Sequence, residues 1–101
     1  MPRILKQDAE RLLANVPEEH VFRCYDGCVL RNVKELGESF ASMSDETFTH
    51  HSNEEKRDFS NWVKDIIGDE KLARDLGKSL NRTQAAKSVA ARIDFLSAKL
   101  V

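Results

Sequence analysis

The sequence predicts a mainly helical α+β fold, with about five helices packed around one β-hairpin at residues 21–31. In the predicted central helix, residues 53–67, apolar side chains recur at i, i+3, i+4, i+7 and i+8 and therefore share one face. The Asp-Gly pair at residues 26–27 lies between two short apolar segments, as in a β-hairpin. A length of 101 residues with 41% hydrophobic composition suits one compact domain over residues 1–101.

Composition and charge narrow the class of protein. The longest apolar runs are far shorter than the roughly 20 residues that cross a bilayer, so no transmembrane helix is predicted. The start of the chain turns polar within a few positions, which predicts no signal peptide and a cytoplasmic location. Residues 1–70 carry nine Lys and Arg against fifteen Asp and Glu, whereas residues 71–101 carry seven against two. This uneven distribution of charge indicates that the acidic and basic parts of the chain pack against each other. The alternative is that the basic segment binds an acidic partner.

The register of the hairpin follows from the polarity of its faces. A three-residue loop over residues 25–27 pairs Cys24 with Cys28 and Phe22 with Leu30, which makes that face wholly apolar. A two-residue turn would place an arginine beside Phe22, so the three-residue loop is predicted. The two sulfurs then lie opposite each other, and reduced thiols are expected, with a cross-strand disulfide as a minority state under oxidising conditions. Because a lone hairpin is marginal in water, it must pack on helices or pair with a second chain.

Start and stop signals divide the rest of the chain into helices. A first helix is predicted over residues 3–16, before Pro17. Gly37 lies inside a later helix at a cost of about 1 kcal/mol relative to alanine, which indicates close packing against a neighbour. The predicted N-caps are Asn32, Ser44, Ser52 or Asn53, Asp69, and Asn81 or Thr83. The predicted core consists of Phe22, Leu30, Leu36, Phe40, Phe48, Phe59, Trp62, Ile66, Leu72, Val89 and Ile93.

Three motifs within residues 15–77 resemble those of a small archaeal and bacterial family that is described as a domain of unknown function. They are the Phe-x-Cys-x-Asp-Gly hairpin at residues 22–27, Ser-Asp-Glu-Thr-Phe at 44–48 followed by His50, and Asp-Phe-x-Asn-Trp at 58–62. His51 departs from the pattern, since an aliphatic residue is expected there, so His50 is the position that matches. The resemblance implies a free-standing domain in a prokaryotic, intracellular setting, and it implies no activity.

Histidines and carboxylates gather just before the central helix. On a continuous helix His51, Glu55 and Asp58 would share a face at i, i+4 and i+7, a workable ligand set for a divalent cation. An N-cap at residues 52–53 would break that helix, which favours a structural role that fixes the helix entry. In that role Asp58 accepts hydrogen bonds from the Ser-Asp-Glu-Thr segment or pairs with His50, and Asn61 ties a loop to the helix. A surface for a ligand or a partner protein is the alternative. The candidate polar cluster consists of His50, His51, Asp58 and Asn61.

The sequence favours a non-enzymatic protein-interaction or adaptor module whose ligand is a protein partner or a second copy of the chain. The hairpin edges and the charge polarity indicate binding, and no catalytic residue, cofactor or metal site is predicted. A C-x3-C pair without further cysteines is a poor zinc signal. The alternatives are a metal or small-ligand site at His50 and Asp58, or nucleic-acid binding through the basic C-terminal helix. The possible basic surface is Arg82, Lys87 and Arg92; these residues do not share one face, and the sequence pI of 6.3 does not favour nucleic acid.

Overall fold

Six helices and one two-stranded antiparallel hairpin form the part of the chain that the structure describes, residues 4–101 of a computed structural model. The elements are α1 (Lys6–Leu13), β1 (Phe22–Arg23), β2 (Val29–Leu30), α2 (Val33–Ser42), α3 (Asp45–His51), α4 (Asp58–Trp62), α5 (Glu70–Gly77) and α6 (Arg82–Ala98). A π-helical turn, Val63–Ile67, continues α4, and a 3-10 turn, Glu18–His20, precedes β1. Among the helices of residues 4–101, none is long and apolar enough to cross a membrane. The predicted α+β class is confirmed.

The first helix is shorter than the predicted span of 3–16. Its predicted first residue, Arg3, lies outside the described residues, and α1 ends well before Pro17. The helix ends where Ala14 becomes extended, and two residues later the Val16 N–H donates a hydrogen bond of 2.8 Å to the carbonyl of Arg31. This hydrogen bond ties the exit of α1 to the exit of the hairpin.

Side-chain caps fix the starts of four helices at the predicted residues. In each case the side-chain oxygen accepts a hydrogen bond from the N–H three residues further on, at 2.8 to 3.1 Å. The capping residues are Asn32, Ser44, Asp69 and Asn81. Each cap satisfies a donor that the first turn of a helix leaves without a partner.

The central helix begins at Asp58, later than the predicted start at Asn53. The Asn53 side chain accepts from the N–H groups two and three residues ahead, at 2.8 and 3.0 Å, which closes a turn instead of opening a helix. Ser52 and Arg57 then form an antiparallel bridge across this turn. The chain therefore reverses between α3 and α4 and brings His51 opposite Asp58.

An aromatic cluster around Phe59 forms the centre of the core. Its ring lies 5.0 to 5.8 Å, centroid to centroid, from four other rings. Those rings belong to Phe22, Phe40, Phe48 and His51. Eight of the predicted core residues are buried, whereas Phe22, Ile66 and Ile93 are partly buried against the same cluster. The wider π turn displaces Ile66 from the buried face of the predicted stripe.

Trp62 joins the central helix to the hairpin side of the molecule. Its Nε1–H donates a hydrogen bond of 2.8 Å to the carbonyl of His20, in the 3-10 turn. Its ring also packs edge-on against Phe22 of β1, with the centroids 5.8 Å apart. One side chain of α4 therefore holds both the 3-10 turn and the first strand.

The close approach of α2 and α6 predicts a specific cost at Gly37. A Cβ atom at this position would lie 2.8 Å from Cγ1 of Val89, a fully buried and conformationally stiff side chain. We expect Gly37→Ala to lower the free energy of unfolding by up to about 2 kcal/mol, because overpacking costs about 1–3 kcal/mol and the gain in helix propensity offsets only about 1 kcal/mol of it. Urea denaturation followed by circular dichroism measures the change.

Gly77 provides the matched control for this prediction. A Cβ at Gly77 would meet its nearest atoms at 3.5 Å, an ordinary contact, so Gly77→Ala should not destabilise the protein. Adding Val89→Ala to Gly37→Ala should cost less than the sum of the two single changes, because the clash is removed. A Gly37→Ala protein more stable than the wild type would contradict the packing argument.

Candidate functional site

His51 and Asp58 form the hydrogen-bonded pair that the turn between α3 and α4 brings together. Nδ1 of His51 lies 2.9 Å from Oδ2 of Asp58, and the backbone N–H of Tyr25 donates to Nε2 of the same ring at 2.8 Å. Because an N–H group only donates, Nε2 is the acceptor and the ring proton lies on Nδ1, where it is donated to Asp58. Both ring nitrogens are thus engaged, and the residue is only 7% exposed.

His50 is exposed and does not contact Asp58, in contrast to one of the two arrangements that the sequence indicated. The sequence indicated His50 or the Ser-Asp-Glu-Thr segment as the partner of Asp58, whereas the structure pairs Asp58 with His51 and leaves His50 exposed. The His50 ring stacks on Tyr25, with centroids 4.2 Å apart and planes at 24°. Adjacent helical residues point about 100° apart, and His51 is three residues after the buried Phe48, a spacing that places His51 on the inner face. That spacing was the available sequence signal.

Asn61 of the candidate polar cluster and Glu55 of the possible ligand set do not join this pair. Glu55 is exposed within the turn, so the ligand set of His51, Glu55 and Asp58 on one continuous helix does not form. Asn61 is exposed on α4, nearly one turn beyond Asp58. Lys56 is the other charged neighbour of Asp58, at 3.4 Å. The arrangement fixes the start of α4 against the hairpin loop, which agrees with the structural role.

The hairpin has the predicted register and joins its two cysteines. Phe22 pairs with Leu30, and the Cys24 N–H donates to the Cys28 carbonyl at 2.8 Å. The sulfurs of Cys24 and Cys28 form a disulfide, whereas the sequence favoured reduced thiols. The Asp26 carboxylate lies close by, so that one ligand atom from each of these three residues falls within 4.8 Å of the other two.

Two arginines of the possible basic surface on α6 are used inside the molecule. Arg92 donates from Nε and Nη2 to the carboxylate of Asp69, at 2.8 and 3.1 Å, and the two side chains are 9% and 1% exposed. Arg82 donates to Asp45 at 2.8 Å and to the carbonyl of Phe40 at 2.7 Å. Only Lys87 of the three predicted residues is exposed. The basic end of the chain therefore neutralises acidic residues of its earlier part.

A basic patch does occur, formed by residues in and next to α4, the π turn and α5. Four cationic side chains and a single carboxylate, that of Glu70, line a shallow depression of about 460 Å³. The basic patch consists of Arg57, Lys64, Arg74 and Lys78. Sequence reasoning missed it because the residues come from separate elements. Only the spacing of four residues between Arg74 and Lys78, at the end of α5, was a sequence signal, because Arg57 precedes α4 and Lys64 lies in the π turn.

A groove of about 280 Å³, lined by apolar residues and by polar ones that include Glu54, adjoins the basic patch. The aromatic rings of Phe40, Phe48 and Phe59 contribute to its floor, together with Leu76. Leu80, in the connection between α5 and α6, lies at the same groove and is 84% exposed. Three residues line both depressions, namely Arg57, Ser60 and Gly77. The groove and the basic patch therefore form one continuous concave surface.

Comparisons with known protein families, with curated proteins and with solved structures find no match to this chain. The resemblance to the small archaeal and bacterial family accordingly stays a prediction.

Proposed function

We propose that this chain is a non-enzymatic, cytoplasmic protein-interaction module that binds an acidic, partly apolar segment of another protein. The observation that supports this function is the continuity of the groove with the basic patch. A peptide with both apolar and acidic side chains complements the two parts of this surface at once.

The groove supplies the apolar part of the binding surface. The rings of Phe40, Phe48 and Phe59 close its floor and are themselves buried, so Leu80 is the exposed apolar side chain against which a partner residue would pack. The exposed Leu80 adds apolar surface at the edge of the groove. Full burial of its side chain by a partner would contribute roughly 1.5–3 kcal/mol to binding. A Leu or Phe side chain of the partner is the expected occupant of the groove.

The basic patch supplies the charge complementarity. Four cations beside one carboxylate attract an acidic segment and repel a basic one, although the whole chain has a net charge of −1. Arg57 connects the two parts, because its Nη1 donates to the carbonyl of Gly77 at 2.9 Å while the residue stays exposed. Its side chain is thereby held at the border between groove and patch.

The hydrogen-bonded pair of His51 and Asp58 under the hairpin supports a structural rather than a catalytic role. Both nitrogens of His51 are engaged, so its ring offers neither a base nor a ligand without breaking a hydrogen bond. A metal or small-ligand site shared by His50 and Asp58 is not favoured either, since Asp58 contacts His51 and His50 stacks on Tyr25. Nucleic-acid binding through α6 loses its support because Arg82 and Arg92 are paired internally.

A pair of synthetic peptides tests the proposal. One is amphipathic, with leucines at i, i+3, i+4 and i+7 and glutamates at the remaining positions; the other carries lysine at every glutamate position. We expect only the acidic peptide to bind, with amide shifts in the NMR spectrum centred on Ser60, Gly77 and Leu80. Lys64→Glu/Arg74→Glu/Lys78→Glu should weaken binding about tenfold, at roughly 0.5 kcal/mol per reversed charge.

The matched control reverses three exposed lysines outside the concave surface, Lys6, Lys34 and Lys87, and should leave the affinity within about twofold. An equal loss of peptide affinity in the two triple variants would show an effect of net charge alone and would overturn the proposed binding site. Tighter binding of a short nucleic-acid duplex than of the acidic peptide would instead assign the basic patch to nucleic acid. Light scattering that gives a concentration-dependent dimer, inhibited by the peptide, would assign the surface to a second copy of the chain.

A further inference from the structure

We propose that the hairpin loop, once its disulfide is reduced, is a binding site for a zinc-class divalent cation. The ligands are the thiolates of Cys24 and Cys28 and the carboxylate of Asp26. This site is separate from the groove and the basic patch, so it stands independently of the proposed function.

The spacing of the three donor atoms fits such a cation. They lie within 4.8 Å of one another, and the Cα atoms of the two cysteines are 5.0 Å apart. Tetrahedral zinc, with bonds of about 2.3 Å to sulfur and about 2.0–2.2 Å to oxygen, places neighbouring ligand atoms roughly 3.5–4 Å apart. Once the disulfide is reduced, the two sulfurs have to separate to this spacing, and the carboxylate of Asp26 already lies within 4.8 Å of both.

Backbone hydrogen bonds hold the loop in addition to the disulfide. Cys24 donates to the carbonyl of Cys28 at 2.8 Å, and Gly27, with a φ of +96°, donates to the carbonyl of Cys24 at 2.9 Å. The Cys28 N–H donates to Oδ1 of Asp26 at 3.1 Å, which fixes the carboxylate and leaves its second oxygen for a cation. Tyr25 is tied to His51 in addition. Reduction therefore releases two thiols in a loop whose shape is already set.

Disulfide and metal exclude each other, because both use the same two sulfur atoms. Two equivalents of a thiol such as glutathione reduce the disulfide: each gives up one electron and one proton, the two sulfurs of the loop become thiols, and the thiol reductant leaves as its own disulfide. Cation binding then displaces the two thiol protons into water. In a reducing cytoplasm the metal-binding form is the prevalent one, and oxidation expels the cation.

Two thiolates and one carboxylate select the class of cation. Thiolates favour zinc and its analogues over Mg²⁺ and Ca²⁺, which prefer oxygen ligands throughout. With three protein ligands the fourth position is taken by water, and the exposure of Asp26 and Gly27 gives solvent access to it. The sequence signal was incomplete because C-x3-C supplies two ligands, and the third comes from the loop between them.

Cobalt titration of the reduced chain tests the site, because Co²⁺ bound by thiolates has an ultraviolet charge-transfer band that water-bound Co²⁺ lacks. We expect this band in reduced wild type, its loss on addition of Zn²⁺, and no band in the disulfide form. Asp26→Asn keeps the oxygen that accepts from Cys28 but removes the anionic ligand, so it should weaken Co²⁺ binding about tenfold or more.

Cys28→Ser should abolish the charge-transfer band of the paired thiolates, whereas His50→Ala should leave the affinity unchanged. Amide NMR spectra establish whether each variant is folded. If Cys28→Ser does not fold, Asp26→Asn still tests the site, because Asp26 is exposed. The proposal is overturned by a reduced wild type that shows no band, or by an Asp26→Asn protein that binds Co²⁺ as tightly as the wild type.

Discussion

Asp69→Ala is expected to lower the free energy of unfolding by about 3–5 kcal/mol, because it leaves the buried guanidinium of Arg92 without a counter-charge. Asp69 accepts two hydrogen bonds from Arg92 and also caps α5 through the N–H of Leu72 at 3.1 Å. Alanine removes all three interactions while its neighbours stay in place. Urea denaturation followed by circular dichroism measures the loss.

The exposed pair of Lys71 and Asp75 is the matched control. Its atoms are as close, at 2.7 Å, but the lysine side chain is 60% exposed. Lys71→Ala should therefore cost no more than about 1 kcal/mol, since water screens the pair. Asp69→Leu combined with Arg92→Met should recover stability relative to Asp69→Ala, because no unpaired charge stays buried. Equal losses at the buried and the exposed pair would refute this account of the α5–α6 contact.

Two adjacent histidines should differ several-fold in their contribution to stability. His51→Ala removes an acceptor for the Tyr25 N–H, a donor for Asp58 and a ring that packs 5.3 Å from Phe59, at an expected cost of about 2–4 kcal/mol. His50→Ala loses only an exposed stack on Tyr25 and should cost less than about 1 kcal/mol. Thermal unfolding of the two variants in the same redox state gives the comparison.

The tautomer of His51 provides a readout that depends on the hydrogen bonds alone. Nitrogen NMR of the ring should find the proton on Nδ1, the less common neutral form, because Nε2 accepts from the Tyr25 backbone. Asp58→Asn retains an acceptor oxygen and should preserve this tautomer. A proton on Nε2 in the wild type, or equal destabilisation by the two alanine variants, would rule out the described arrangement.

Features that depend on neighbouring residues were predictable from the sequence. The caps at Asn32 and Asp69 act on an N–H three residues away, and the loop that pairs Cys24 with Cys28 spans three residues. Such signals lie within one window of sequence, and propensity and hydrogen-bonding chemistry decide them before any tertiary contact forms. The general α+β class followed from these local elements.

Features that depend on distant residues were not predictable in the same way. His51 meets Tyr25 across 26 positions, and Arg92 meets Asp69 across 23. Both pairs exist because the turn at Asn53 and the packing of α6 bring the chain back on itself, and periodicity alone does not specify those paths. The basic patch was missed for this reason, since its four cations come from the start of α4, the π turn and the end of α5 together.

The position of the single tryptophan gives the protein an intrinsic optical reporter. Indole emission moves to longer wavelength when water reaches the ring, and Trp62 is shielded by contacts to the 3-10 turn and to β1, not by the core alone. Loosening of the hairpin will therefore change its fluorescence even while the helices stay intact. Comparing the emission with helical circular dichroism along one denaturation curve would separate opening of the hairpin from global unfolding, without an added label.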